Sequence, residues 1–97
     1  MSEIVDAPTR SRFEYVDGDE VAELVYRVEG DRMTLIHTGV PDALGGQGLG
    51  GRLVRAALER AKAETLTLVP NCPFAKKWLQ DHPDEASTVT IDWPAEG

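Results

Sequence analysis

The first half of the chain alternates apolar and polar residues with the period of a β-strand. In Glu20–Glu29, every second residue from Ala22 to Val28 is apolar, which predicts a strand with one buried face. Turn sequences flank this segment, Asp17-Gly18 before it and Glu29-Gly30-Asp31 after it. Because such short connections join antiparallel neighbours, we expect an antiparallel meander. The predicted strands are Ser11–Val16, Glu20–Glu29 and Arg32–Val40.

From about Gly50 the apolar residues follow the period of a helix. The predicted buried face of this helix consists of Leu53, Val54, Ala57, Leu58 and Ala61. We expect a brief strand over Thr65–Val69, a shorter helix over Pro73–Asp81 and a final strand over Ser87–Trp93. The order β-β-β-α-β-α-β predicts an α/β fold of the α+β type, with a mixed, largely antiparallel sheet covered by two main helices.

Length and composition indicate one domain. The 97 residues, 41% of them hydrophobic, suffice for one core and are too few for two. We therefore expect a single domain over residues 1–97, with residues 1–9 as a flexible tail. No stretch approaches the roughly 20 apolar residues of a membrane span. The single cysteine, Cys72, excludes an internal disulfide framework, and the cytoplasm is the expected compartment.

The charge balance narrows the range of partners. A formal net charge of −7 is the opposite of what phosphate neutralisation on a nucleic acid requires. Neither general nucleic-acid binding nor docking on an anionic membrane is expected. An anionic small ligand remains compatible with the sequence, provided that a local site supplies positive potential.

A run of glycines, which we call the glycine loop, lies between the third predicted strand and the first predicted helix. It comprises Gly45, Gly46, Gln47, Gly48, Leu49, Gly50 and Gly51. Glycines let the backbone approach a ligand closely, and a helix that begins there presents unpaired N–H groups that favour a phosphate. Arg52 or Arg55 would add positive charge nearby.

Three interpretations of the glycine loop rest on the residues alone. A P-loop requires Gly-Lys-Ser/Thr, which Gly51-Arg52-Leu53 does not supply. Gly46, Gly48 and Gly51 fit the spacing of a dinucleotide fingerprint, but no acidic residue follows the next strand. The third interpretation is a glycine turn without a ligand.

Cys72 and His37 are the candidate reactive side chains. Cys72 precedes Pro73 and is predicted to be the N-cap of the second helix, where unpaired N–H groups stabilise a thiolate. The alternative is a buried structural cysteine. His37 shares a predicted strand face with Met33 and Leu35, so it is either a core histidine or a base.

Other side chains are predicted to have structural roles. His82 ends the second helix and is expected to cap it, and Phe74 and Trp78 are expected in the core. The histidines and the cysteine show no metal-ligand spacing, so no metal site is predicted.

Several motifs in one order carry a resemblance to a known family. They are His37-Thr38-Gly39-Val40-Pro41, the glycine loop, Leu53-Val54, Pro70-Asn71-Cys72-Pro73-Phe74 and His82-Pro83. In this combination, from about Tyr26 to Pro83, the chain resembles the small single-domain GCN5-related N-acetyltransferase (GNAT)-like proteins. The resemblance implies a compact acetyltransferase fold that binds acetyl-CoA and transfers its acetyl group to an amine.

The resemblance also implies roles for particular residues. The pantetheine arm would pair with Thr38, Gly39 and Val40, and the pyrophosphate would lie on amides of the glycine loop. In the family this cysteine is a suspected active-site residue, which makes Cys72 the candidate nucleophile or proton donor to the leaving thiolate. The chain departs from the family pattern at Gly45, where a basic or amide side chain is usual, and at Gly39.

Two other function classes remain open on the sequence. One is a non-catalytic CoA-binding or protein-interaction module on the same fold, which the loss of a basic side chain at Gly45 favours. The other is a nicotinamide-dependent oxidoreductase. The amine acceptor and the oligomeric state are not predicted.

Overall fold

A computed structural model of the protein describes residues 3–94, which form one sheet with helices on one face. The strands are β1 (Val5–Ala7), β2 (Arg12–Asp17), β3 (Glu20–Glu29), β4 (Arg32–Gly39) and β5 (Thr67–Pro70). The helices are α1 (Leu49–Glu64), α2 (Pro73–Asp81) and α3 (Pro83–Ala86). The strands lie in the order β1-β2-β3-β4-β5. All neighbours are antiparallel except β4 and β5, which are parallel.

The predicted meander is confirmed. Gly18 and Gly30 lie in the two hairpin turns with φ values of +61° and +59°, a left-handed conformation that glycine adopts without steric cost. The first predicted strand begins and ends one residue later than expected, and the third ends at Gly39 instead of Val40. Helix α1 then crosses over the sheet, which is what parallel pairing of β4 with β5 requires.

The core lies between the helices and one face of the sheet, which we call the helix face. Its strand residues are Phe13, Tyr15, Ala22, Leu24, Tyr26, Met33, Leu35 and Leu68. The predicted buried face of α1 is confirmed, since Leu53, Val54 and Ala57 are fully buried. Burying one such leucine contributes about 1.5–3 kcal/mol. Side chains on the opposite face, the open face, are half-buried or exposed apart from Glu14.

The N-terminal segment is part of the sheet. The sequence predicts a flexible tail over residues 1–9, whereas Val5–Ala7 pairs with β2. The Tyr26 hydroxyl donates to Asp6 at 2.5 Å, and Arg60 Nη1 donates to Asp6 Oδ2 at 3.0 Å. These bonds hold β1 to β3 and to α1. Met1 and Ser2, the first residues of the predicted tail, lie outside the described residues.

The prediction of a final strand over Ser87–Trp93 is wrong. The short helix α3 ends before this segment at Ala86, residues 87–89 form turns and a bend, and only Ile91 makes an isolated parallel bridge with Leu68. The physical reason is the length of β5, which has four residues and bonds this segment only through the N–H and C=O of Leu68. Residues 95–97 lie outside the described part of the chain.

Candidate functional site

A cavity of about 360 Å³ opens between the end of β4 and the N-terminus of α1. We call it the glycine-loop cavity. Its lining is Thr38, Val40, Leu44, Gly45, Gly46, Gly48, Leu49, Gly50, Gly51 and Phe74. Most of the residues predicted to bind a cofactor therefore lie together. Gln47 is exposed and Gly39 belongs to the open face, and neither lines the cavity.

Two glycines of the loop are required by backbone conformation. Gly46 and Gly48 have φ values of +81° and +68°, and a Cβ at either position would meet nothing within 4 Å. Gly48 is the N-cap of α1 and supplies no side-chain hydrogen bond to the helix. Amide N–H groups in the first turn of α1 therefore lack a capping side chain beside the cavity, an arrangement that favours an anionic ligand.

Gly50 and Gly51 are required by the packing of α2. A Cβ on Gly50 would lie 2.5 Å from Phe74 Cζ, and one on Gly51 would lie 2.6 Å from Trp78 Nε1. Small residues at the start of α1 therefore let the aromatic rings of α2 approach the backbone. Phe74 is 45% exposed beside the cavity, so its predicted place in the core is wrong. The ring lies at the first turn of α2, at the cavity rim.

No basic side chain lines the cavity within residues 3–94. Arg55 donates to both carboxylate oxygens of Glu85, at 2.8 and 2.9 Å, and its guanidinium lies over the Trp78 ring. These hydrogen bonds lower the pKa of Glu85 below its ordinary value. Arg52 lies over the Tyr15 ring, 5.3 Å from its centroid. In this arrangement neither arginine adds the expected positive charge to the cavity lining. The positive potential at the loop therefore comes from the backbone.

A β-bulge in β4 decides which side chains face the cavity. Tyr26 pairs with Leu35 and Val25 pairs with His37, so Ile36 has no partner on β3. The extra residue shifts the alternation by one position. Thr38, opposite Leu24, therefore lies on the helix face, and His37 lies on the open face, where it is exposed. The predicted face shared by His37, Met33 and Leu35 is wrong, because strict alternation does not allow for the bulge.

Cys72 occupies the predicted N-cap position of α2, with Pro73 as the first helical residue. It is 3% exposed, and its backbone N–H donates to the Leu35 carbonyl at 2.9 Å. Its Sγ lies 3.2 Å from Thr38 Oγ1, a hydrogen bond in which either atom can donate. Cys72 itself does not line the cavity. Thr38 joins the thiol to the cavity wall.

His82 caps α2 as predicted. Its Nδ1 lies 2.7 Å from the Trp78 carbonyl oxygen, and its ring stacks on the Trp78 ring with the centroids 3.9 Å apart. Lys77 pairs with Asp81 at 3.2 Å. These side chains organise the end of α2.

The sequence did not predict a network of charged side chains on the open face. Arg12 donates to Glu14 at 2.5 Å and to Glu23 at 2.7 Å, and Arg10 donates to Glu14 at 3.1 Å. Burial alone would raise the pKa of Glu14, but the hydrogen bonds from Arg12 and Arg10 outweigh it and lower the pKa. The network depends on strand register, which places Glu14 directly opposite Glu23 and which no pattern along the sequence indicates.

Two larger cavities, of about 430 and 490 Å³, lie beside α3 and β5. Neither contains a residue that the sequence analysis assigned to the site. Among residues 3–94, no helix is both long and apolar enough to cross a membrane.

The sequence of residues 12–89 matches the family model described as GCN5-related N-acetyl-transferase. The chain belongs to this family. The matched range includes β2 to β5, the glycine loop, α1 and α2. The resemblance stated from the sequence motifs and the predicted fold class are thereby confirmed, and the chain carries an acetyltransferase fold.

Individual relatives agree with the family. Protein NATD1 from Gallus gallus is 36% identical over 63 residues, which are 64% of this chain and 57% of that protein. Protein NATD1 from Homo sapiens is also 36% identical, with 56% of its length covered. The matched segment therefore spans less than two thirds of these relatives.

A solved structure extends the likeness to almost the whole chain. The NMR structure of a GCN5-like protein from Staphylococcus aureus, described as a candidate N-acetyltransferase, has a TM-score of 0.71 and 31% identity. The match covers 98% of this chain and 90% of that one. The aligned residues thus include those of β1, a strand that the sequence did not predict.

Proposed function

We propose that this protein binds acetyl-CoA in the glycine-loop cavity and transfers the acetyl group to an amine. The observation that carries the proposal is the glycine-loop cavity itself, formed where the uncapped N-terminus of α1 meets the end of β4. Membership of an acetyltransferase family supports the general chemistry. A cytoplasmic location belongs to the same proposal and agrees with a single unpaired cysteine.

The backbone hydrogen-bonding groups around the cavity suit coenzyme A. Backbone amides of Gly46–Gly51 would hold the pyrophosphate, and Gly46 and Gly48 keep the approach open because they carry no side chain. The end of β4, Thr38 to Val40, would pair with the pantetheine arm, since Thr38 and Val40 line the cavity. Bound acetyl-CoA supplies an acetyl group already activated as a thioester.

Cys72 is the side chain to which we assign the chemistry on the helix face. Thr38 holds its thiol at 3.2 Å and also lines the cavity, which fixes the sulfur behind the wall at the end of β4. In one route the amine attacks the thioester carbon, the C–S bond breaks and the Cys72 thiol donates its proton to the leaving sulfur. In the other route the thiol loses its proton to the leaving CoA sulfur as it takes the acetyl group, and the amine then displaces it from the acetyl carbon. His37, exposed on the open face, is the candidate base for the amine.

An NMR titration with acetyl-CoA tests the cofactor site. We expect saturable shifts at the backbone amides of Thr38–Gly51 and Cys72, with the rest of the sheet unaffected. Gly48→Ala should weaken binding at least tenfold, since the methyl group would project into the site that the amides form.

Gly30→Ala is the matched control. Gly30 has a φ of +59° and equally open surroundings, but it lies in the hairpin between β3 and β4. Both substitutions cost about 1–2 kcal/mol of backbone strain, so a difference in acetyl-CoA affinity reports the site alone. Equal affinity in the two variants would contradict the assignment of the glycine loop.

The non-catalytic alternative rests on one specific observation, the lack of a basic side chain in the cavity lining of the described residues. A turnover measurement distinguishes this non-catalytic module from an acetyltransferase. Thiol release from acetyl-CoA and the mass of the acetylated product are measured over a panel of small amines and basic peptides. Saturable binding without any product would favour the CoA-binding module.

A further inference from the structure

The open face of the sheet has a notch at Gly39, which we call the Gly39 notch. A Cβ at this position would lie 3.3 Å from His37 Nε2, 3.7 Å from Glu23 Cγ and 3.9 Å from Glu23 Oε2. An imidazole nitrogen and a carboxylate oxygen therefore converge on the space that a side chain of residue 39 would fill. The geometry follows from register, because Glu23 lies directly opposite Gly39.

The carboxylate of Glu23 is oriented by its neighbours. Arg12 Nη1 donates to Oε1 of Glu23 at 2.7 Å, and Arg12 Nε donates to Glu14 at 2.5 Å. Arg12 is thereby shared between two carboxylates and engages only one oxygen of Glu23. The other oxygen, Oε2, faces the Gly39 notch and has no hydrogen-bond partner among residues 3–94.

The notch and the glycine-loop cavity lie on opposite faces of the same strand end. Thr38 and Val40 line the cavity, and Gly39 between them belongs to the open face. Because β5 pairs with β4 only over Arg32–Leu35, it does not cover the edge of β4 at Thr38 and Gly39, and groups bound on the two faces can approach each other along this edge. A molecule that reacts with an acyl group held in the cavity has a separate approach from the open face.

We propose that the Gly39 notch binds the acceptor as a protonated primary amine, an inference that rests on the proposed acetyl transfer. Glu23 Oε2 is the counter-charge, and His37 Nε2 forms the second polar wall. Hydrogen bonds between an ammonium and a carboxylate are about twice as strong as neutral ones. The net charge of −7 adds a field that attracts cations to the whole molecule.

The test uses n-propylammonium as the probe and n-propanol as its uncharged analogue. Each is titrated into the full chain at constant ionic strength, with and without CoA, and followed at the backbone amide of Gly39 by NMR. We expect a saturable shift with n-propylammonium and a much smaller response to n-propanol. No shift at Gly39, or equal responses to both probes, would overturn the proposal.

Variants locate the binding group. Glu23→Gln should weaken n-propylammonium binding about tenfold, whereas Glu29→Gln, at the other end of β3, should leave it unchanged. Gly39→Ala fills the notch while moving only the far end of the His37 ring, and it should abolish the shift. Unchanged binding in both Glu23→Gln and Gly39→Ala would overturn the assignment.

The same samples separate this inference from the proposed function. If the glycine-loop amides respond to acetyl-CoA but Gly39 does not respond to the amine, only the acceptor site is wrong. If Gly39 binds the amine and the loop does not respond to acetyl-CoA, the proposed transfer fails and the acceptor role of the notch fails with it.

Discussion

Thr38 and Cys72 join two elements that are far apart in sequence. The Oγ1–Sγ hydrogen bond of 3.2 Å links the end of β4 to the N-cap of α2. A second bond, from the Cys72 amide to the Leu35 carbonyl, fixes the backbone at the same junction. The thiol is therefore held in one orientation, as a group that acts at the cavity wall requires.

Substitution of Thr38 by valine removes the hydroxyl and keeps the shape of the side chain. We expect Thr38→Val to slow thiol release from acetyl-CoA with n-propylamine about tenfold, because the sulfur is no longer oriented. Cys72→Ala should slow it on the order of 100-fold and leave acetyl-CoA affinity within about twofold. Thiol release is followed by absorbance, and affinity by calorimetry.

Two further variants make this test specific. Thr38→Ser keeps the hydroxyl and should retain most of the rate, whereas Thr34→Val, on the open face of the same strand, should match the wild type. A rate for Thr38→Val equal to that of the wild type would show that the Thr38–Cys72 hydrogen bond has only a structural role.

At the scale of the secondary-structure elements, the bulge in β4 determines which side chains of this strand face the site. It places Thr38 with Leu24 on the helix face and leaves His37 outside. The sequence contains no sign of it, since Met33, Leu35 and His37 alternate as they would in a regular strand. Only the pairing with β3 reveals that Ile36 is an extra residue.

Deletion of Ile36 should therefore be tolerated. Leu35 would remain opposite Tyr26 and His37 opposite Val25, so every side chain keeps its face and only the local bend is lost. We expect the free energy of unfolding to fall by less than about 2 kcal/mol, measured by urea denaturation.

Deletion of Thr34 is the contrasting variant in the same strand. It would force Met33 or Leu35, both fully buried, onto the open face. The loss should be about 3 kcal/mol or more. If the two deletions cost the same, the pairing that leaves Ile36 without a partner is wrong.

At the scale of the molecule, local patterns were predictable and pairings between distant segments were not. Periodicity located the buried face of α1, and Pro73 located the N-cap at Cys72, because both signals are contained within a few residues. The strand β1 has three residues, too few to show a period. The Gly39 notch and the network around Arg12 depend on strand register, which a single sequence does not reveal.

The same long-range pairing stabilises the N-terminal strand through a cluster centred on the buried Tyr26. Tyr26, 4% exposed, donates to Asp6 and accepts a hydrogen bond from Arg60 at 2.8 Å. Burial, together with the bond to Asp6, raises the pKa of Tyr26 to about 12, although Arg60 opposes the shift. The phenol of Tyr26 on β3 thus bonds both to Asp6 on β1 and to Arg60 on α1.

The raised pKa of Tyr26 makes stability fall at alkaline pH. In the unfolded chain the phenol loses its proton near pH 10, whereas the folded chain retains it up to about 12. The stabilisation is complete below pH 10, and it is lost as the pH rises through 12 because the unfolded state binds fewer protons. We expect the free energy of unfolding to fall by up to about 2 kcal/mol across this range from Tyr26 alone.

Tyr26→Phe should flatten this decline, although it also lowers stability at neutral pH by removing the bonds to Asp6 and Arg60. Tyr15→Phe is the control, since it removes another buried phenol of the core and leaves the cluster intact. Urea unfolding between pH 9 and 12 gives the slope for each variant, and the difference between the two slopes reports the contribution of Tyr26. A slope for Tyr26→Phe as steep as that of Tyr15→Phe would show that β1 is held without the Tyr26 proton.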